Sequence, residues 1–140
     1  MTVGHEPLKL EVVSAAKMVW EGEALNVIAR TSEGNIGILP GHEPMMAALV
    51  PCMVEIVSSD GRTEILAIDG GLLAVAQGHV RVLSREVQFA EEITLDVARK
   101  AAHDLRRLRS QGEATDEQIH RLHILNAQIR AGERYQQQRS

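Results

Sequence analysis

The apolar residues of this 140-residue chain change their period once, near residue 91, and that change limits the folds open to it. Before it, apolar and polar side chains alternate in short runs such as Leu8-Lys-Leu-Glu-Val-Val13, the pattern of a strand with one buried face. From Thr94 onward the apolar positions recur about every three and a half residues, at Leu95, Ala98, Ala102 and Leu105, widened by Ala101 and Leu108. No proline follows Pro51, so nothing interrupts this second pattern. The chain divides into a β domain at residues 1–90 and an α domain at residues 91–140.

After a polar lead-in over residues 1–7, strands are expected at 8–13, 18–23, 25–31, 35–39, 53–58, 63–68, 72–76 and 79–83. Residues 45–49 read equally as strand or buried turn. Glu33-Gly34, Pro40-Gly41, Asp60-Gly61, Gly70-Gly71 and Gln77-Gly78 mark the turns. Asp60-Gly61 is the strongest hairpin signal, because a type I′ turn needs positive φ at both central residues and these two tolerate it. Strands this closely spaced leave no room for helical crossovers, so the β domain is expected to be an antiparallel β-sandwich.

In the α domain Thr94 is placed to cap a first helix. Glu91, Glu92 and Asp96 lie near its positive end, and Arg106, Arg107 and Arg109 near its negative end. Gly112 breaks that helix, and Thr115-Asp-Glu-Gln118 reads as a capping box opening a second. Ile119, Leu122, Leu125 (or Asn126) and Ile129 form a narrow seam on it, so the short connection predicts an antiparallel two-helix hairpin, frayed beyond Gly132 and Gln136-Gln137-Gln138. The seam holds four or five Leu/Ile side chains per pair. So few buried side chains, at roughly 1.5–3 kcal/mol each, leave little margin against the ordering cost of a long hairpin. The hairpin should be marginally held and able to detach.

Composition narrows the function classes. Only Trp20, Phe89 and Tyr135 are aromatic, too few to stack single-stranded bases, and no nucleic-acid partner is expected. The formal charge of -4 is unevenly spread: residues 1–90 carry 11 acidic and 6 basic side chains, residues 91–140 carry 8 and 9. The arginine-rich second part suits an anionic ligand or an acidic partner surface. A single cysteine, Cys52, asks for no oxidising compartment and follows Pro51 as a small core residue. The longest nearly apolar run, residues 45–54, is far shorter than the roughly 20 residues that span a bilayer, and the N-terminus has no signal-peptide pattern. Membrane association is therefore expected only through a partner.

Residues 33–44, Glu-Gly-Asn-Ile-Gly-Ile-Leu-Pro-Gly-His-Glu-Pro, end a strand in a stiff loop that carries His42 and suits a docking edge. His42 lacks ligand-spaced neighbours other than Glu43, so a surface contact outweighs a metal-dependent enzyme as its reading. His120 and His123, at i and i+3, fit a solvated helix face better than a metal site. Gly70-Gly71 precedes a strand, which excludes a phosphate-binding glycine loop and fits a bulge or tight turn. No catalytic constellation is present. Asp96 and Arg99 share a helical face with Arg106, and Arg130 with Arg134 repeats the i, i+4 spacing on the second helix. A folded hairpin can gather these groups around a phosphate, with Asp96 accepting from a base or sugar; ordinary surface charge has the same spacing.

Residues 33–44, followed by Ile68-Asp-Gly-Gly-Leu-Leu-Ala-Val75 and Val80-Arg-Val-Leu83, closely resemble the epsilon subunit of bacterial F-type ATP synthases, and Leu10-Glu-Val-Val-Ser14 agrees. The resemblance covers nearly the whole chain. It implies a non-catalytic rotor subunit of the central stalk, peripheral at the cytoplasmic face of the bacterial plasma membrane. Its implied partners are the gamma subunit, the c-ring and, through the helices, the catalytic alpha/beta head, where the hairpin would inhibit ATP hydrolysis. His42 matches the family's ring-contacting histidine, Asn35 stands where some relatives have an acidic contact, and Glu33 is a substitute for it. Leu95-Asp-Val-Ala-Arg99 matches the family's ATP-binding motif with Lys100 replacing its last alanine, so ATP is implied as a regulatory ligand of Asp96, Arg99, Arg106, Arg130 and Arg134. The alternative is a free-standing ATP-sensing module.

Overall fold

The computed structural model describes residues 5–139; the first four residues of the expected polar lead-in lie outside that range. Seven strands come first: β1 (Leu8–Val13), β2 (Met18–Thr31), β3 (Gly34–Ile38), β4 (Met45–Ser58), β5 (Thr63–Ala76), β6 (His79–Leu83) and β7 (Val87–Phe89). A 3-10 turn at Ala90–Glu92 leads into helices α1 (Leu95–Ser110) and α2 (Asp116–Arg139). The strands run in the order β1-β6-β5-β4-β2-β3, β1 also pairs with β2, and β7 pairs with β5. The pairing β1–β2–β4–β5–β6–β1 thus closes on itself, giving a flattened barrel whose two layers form the sandwich. One ladder departs from the antiparallel expectation: β1 and β6 are parallel, Leu10 opposite Val80 and Val12 opposite Val82.

The long strands bend so that each serves both layers. β2, β4 and β5 have 14 residues each, where shorter or broken strands were expected. At about 3.3 Å per residue an unbent strand of that length would run roughly 45 Å, too far for one small layer. β4 passes straight through Pro51, which stands opposite Asp69 where β5 turns at Gly70-Gly71. Both glycines have positive φ, 86° and 139°, and a Cβ on Gly71 would sit 1.9 Å from the Leu83 carbonyl oxygen. This corner therefore requires glycine. In β2 the register shifts between Ala24 and Asn26, so the buried positions step from Ala24 to Val27 and Leu25 is turned outward.

One turn differs from expectation. The β4–β5 hairpin is present, but Gly61 alone has positive φ, so it is not type I′. The Ser58 hydroxyl and the Arg62 N–H both donate to the Asp60 carboxylate, and Gly61 N–H donates to Ser58 O at 3.0 Å. The paired positive φ angles lie instead at Gln77 (51°) and Gly78 (80°), in the β5–β6 turn.

The sandwich core is aliphatic, built around Leu8, Leu10, Val12, Val27, Val54, Ile56, Leu66, Ile68, Leu73, Val80 and Val82, and includes no helix residue. α1 packs on α2 through Ala98, Ala102, Leu122 and Leu125, with Leu105 and Ile129 beside them, as the two apolar stripes require. The Thr115–Gln118 capping box forms with bonds of 2.9 and 3.1 Å; Thr94 caps α1 through its carbonyl alone. α2 also has a second buried side. Ala131 and Tyr135 pack on Ile65, Ala67 and Met53 from the outer face of β5 and β4, with Ala90 and Ile93. Gly132 ends nothing: it lies under Leu95, and α2 continues as helix to Arg139.

Candidate functional site

The β3–β4 connection forms one candidate surface. The His42 N–H donates to Leu39 O at 3.1 Å, and His42 Nδ1 donates to Glu43 O at 2.8 Å, which fixes the imidazole in the tight loop. Gly41 lies against the His5 ring, and the loop shares a hollow of about 650 Å³ with His5, Lys9, Gln77 and His79. On either side Leu39 and Met46 are 58% and 69% exposed, an apolar flank next to a rigid polar tip. β3 is an edge strand, paired among the described residues with β2 alone. Glu33 and Asn35 lie at its start and His42 beyond its end, so the three residues sit along one edge and form no single cluster.

The helical face is the second candidate, and the structure separates its residues into pairs. Arg99 Nη2 reaches Glu133 Oε2 at 3.0 Å, Arg106 Nη2 donates to Asn126 Oδ1 at 2.8 Å, and Arg134 Nε reaches Glu55 Oε1 at 2.8 Å. The hydrogen bond and charge of Glu55 raise the Arg134 guanidinium above its ordinary value. Asp96 is exposed in the first turn of α1, with no hydrogen-bond partner among the described residues. Arg130 lines a separate hollow with Arg30 and His123. Arg99 and Arg106 thus bridge α1 to α2, while Arg134 ties α2 to the sheet.

Polar contacts that sequence spacing did not disclose fasten α2 to the sandwich. His120 Nε2 lies 2.9 Å from Asp69 Oδ1, and Gln128 Nε2 donates to Gln88 Oε1 at 3.0 Å. His120 and His123 therefore serve different surroundings. Among the described residues no group of three or more His, Cys, Asp or Glu side chains is placed to hold a metal ion, and no helix is long and apolar enough to cross a membrane. Cys52 is buried in the core; burial pushes its thiol up, against weaker opposing effects of the Arg30 backbone and of the Arg30 and Arg130 charges.

The family model described as "ATP synthase, Delta/Epsilon chain, beta-sandwich domain" matches residues 7–90. The ATP synthase epsilon chain of Cutibacterium acnes is 42% identical over 97% of this chain and 99% of its own length. This chain belongs to the ATP synthase epsilon chain family. The epsilon chain of Streptomyces avermitilis is 39% identical, covering 79% of this chain and 86% of its own, and that of Nocardia farcinica 36%, covering 90% of each. The epsilon-family fold also recurs in a chain of the Euglena gracilis mitochondrial ATP synthase structure (OSCP/F1/c-ring), with TM-score 0.73 and 22% identity over 96% of this chain and 83% of that one.

Proposed function

We propose that this epsilon-family chain is a non-catalytic rotor subunit of the central stalk, whose sandwich binds the gamma subunit and the c-ring and whose hairpin restrains ATP hydrolysis. One observation carries the reading: the sandwich core closes without any helix residue, while the helices attach to its outside. That attachment combines Ala67, Ala90 and Ala131 with Ile65, Met53, Ile93 and Tyr135, and adds polar pairs such as Arg134–Glu55 and His120–Asp69. In both pairs the helix partner is half-exposed while the carboxylate on the sandwich is largely buried. On this reading docked and released hairpins differ by a few kcal/mol, within reach of a ligand or partner that prefers one of them.

In the docked state the hairpin keeps away from the catalytic alpha/beta head; released, its arginines reach acidic surfaces there and stop reverse rotation. The edge from Glu33 and Asn35 to His42 is the c-ring contact, stiffened by the His42 bonds and flanked by Leu39 and Met46. ATP acts as a regulatory ligand at Asp96, Arg99, Arg106, Arg130 and Arg134, exchanging the Glu133 and Glu55 partners of Arg99 and Arg134 for phosphate oxygens. The chain then sits at the cytoplasmic face of the bacterial membrane through the complex. Deleting residues 91–140 is expected to leave assembly and synthesis largely intact and to raise ATP hydrolysis by the reconstituted enzyme. Unchanged hydrolysis would remove the inhibitory role.

A further inference from the structure

We propose that the His120–Asp69 pair is a proton-operated latch: a proton taken up by the imidazole tightens α2 on the sandwich as the pH falls below neutral. Asp69 is the fixed half of the pair. It stands opposite Pro51 at the β5 corner, its backbone N–H donates to Glu86 O at 3.3 Å, and its side chain is 3% exposed. His120 is the movable half, on α2, and 47% of its side chain meets solvent. A hollow of about 350 Å³, whose lining includes Ser14, Asp69, Arg85, Glu86 and Gln128, opens beside the carboxylate, so water reaches the pair while α2 is docked.

The charges around the imidazole set the direction of the effect. A neutral imidazole gives Asp69 Oδ1 one ordinary hydrogen bond across 2.9 Å. A protonated one gives the same carboxylate a charge-assisted bond, roughly twice as strong. Histidine is the side chain that makes this change between pH 5 and 8. Arg85, on the other carboxylate oxygen, and the positive end of α2 oppose the added charge. Glu86 beside the hollow, and Asp116 and Glu117 at i−4 and i−3 from His120, offset them, while Arg121 at i+1 lies off this face. α1 packs on Leu122, Leu125 and Ile129, and its Arg99 and Arg106 reach Glu133 and Asn126, farther along α2. The other polar links named above, Gln128–Gln88 and Arg134–Glu55, are of types that keep their charge across neutral pH. His123 acts in the opposite sense, because it lines a hollow with Arg30 and Arg130, where a proton adds a third positive charge. At His120, docking strengthens the hold on the proton, so acidification through the histidine range favours docking.

The latch concerns the isolated chain; its control of hydrolysis rests on the reading of a releasable hairpin. Amide-exchange protection of α2, corrected for the intrinsic rate at each pH, is measured on the full chain at pH 6 and pH 8 in a His123→Gln background. Strand protection serves as the reference for His5, His42 and His79, which line the hollow at the β3–β4 loop. Protection of α2 is expected to be two- to tenfold higher at pH 6, and His120→Gln is expected to abolish that difference with strand protection retained. Equal protection at the two pH values, or a difference that survives His120→Gln, overturns the latch. In the reconstituted enzyme the His120→Gln subunit is expected to restrain ATP hydrolysis at least twofold more than the unaltered subunit at pH 6, and equally at pH 8. An equal effect at both pH values, or none, overturns the regulatory role, since a merely lost contact would not depend on the proton. Deletion of residues 91–140 tests the releasable hairpin separately, so the two failures are told apart.

Discussion

The Nε2 atom of His120, on α2, lies 2.9 Å from Oδ1 of Asp69, on β5, while Oδ2 of the same carboxylate accepts from Arg85 Nη2 at 3.1 Å. The Asp69 side chain is 3% exposed, against 47% for His120 and 79% for Arg85. A buried carboxylate thus shares two outer partners, of which one stays with the sandwich and the other leaves with the hairpin. His120→Ala is expected to raise amide exchange in α2 about two- to fivefold, the effect of up to about 1 kcal/mol from losing a half-exposed partner while Arg85 still holds the carboxylate, with β-strand exchange unchanged. Combined with Arg85→Ala, it should cost more than the sum of the single changes, toward about 3–5 kcal/mol, because the buried charge then has no partner. A double-mutant cycle in urea measures this.

Gly71 marks the corner on which the closed sheet depends. Its φ of 139° and the 1.9 Å approach of the Leu83 carbonyl to an added Cβ leave a substitution no room except by moving backbone. Gly71→Ala is expected to destabilise the sandwich by more than about 4 kcal/mol. Gly61→Ala meets nothing within 4 Å and suffers only its positive φ, about 1–2 kcal/mol. Thermal unfolding of the two variants separates them.

Gly132 plays the corresponding part between the helices. An added Cβ would lie 2.7 Å from Leu95 Cδ2, the movable end of a side chain. Gly132→Val is expected to push α1 off α2 at about 1–3 kcal/mol, with exchange rising in α1 and the sandwich transition unmoved. A matching loss of sandwich stability would show the two parts to be one cooperative unit.

Cys52 gives a prediction with a definite sign in pH. Burial holds its thiol above the ordinary value of 9.0, so the folded state keeps its proton more tightly than the unfolded one. Its contribution to stability is fully present below that ordinary value and is lost as pH rises beyond it toward the raised folded value. At neutral pH the thiol should resist a disulfide reagent in the folded chain and react at once in urea.

Much of this architecture was legible because it follows periodic burial. The alternation of Leu8, Leu10 and Val12 and the stripe of Leu95, Ala98 and Ala102 each expose one apolar face, and the structure buries that face. The continuity of β4 and β5 was not legible. Pro51 and Gly70-Gly71 are local breakers, and only their facing placement at a shared bend lets both strands continue. The second side of α2 was also hidden, since Ala127, Ala131 and Gly132 are small and carry little hydrophobic signal although all are buried. Val87–Phe89 is too short to show a period, and the parallel β1–β6 ladder joins strands nearly the whole sandwich apart in sequence. For the same reason spacing could gather arginines along one helix, but could not set Arg30 of the sandwich across from Arg130.

The most direct test of a hairpin that regulates by leaving the sandwich is to prevent it from leaving. Gln88 and Gln128, whose side chains meet at 3.0 Å across the interface, can both be changed to cysteine in a Cys52→Ser chain and joined by a short bis-maleimide. Reconstituted with the locked subunit, the enzyme is expected to hydrolyse ATP as fast as with residues 91–140 deleted, and the unlinked double-cysteine chain to restrain it. Equal restraint by the locked and unlinked chains would contradict the account.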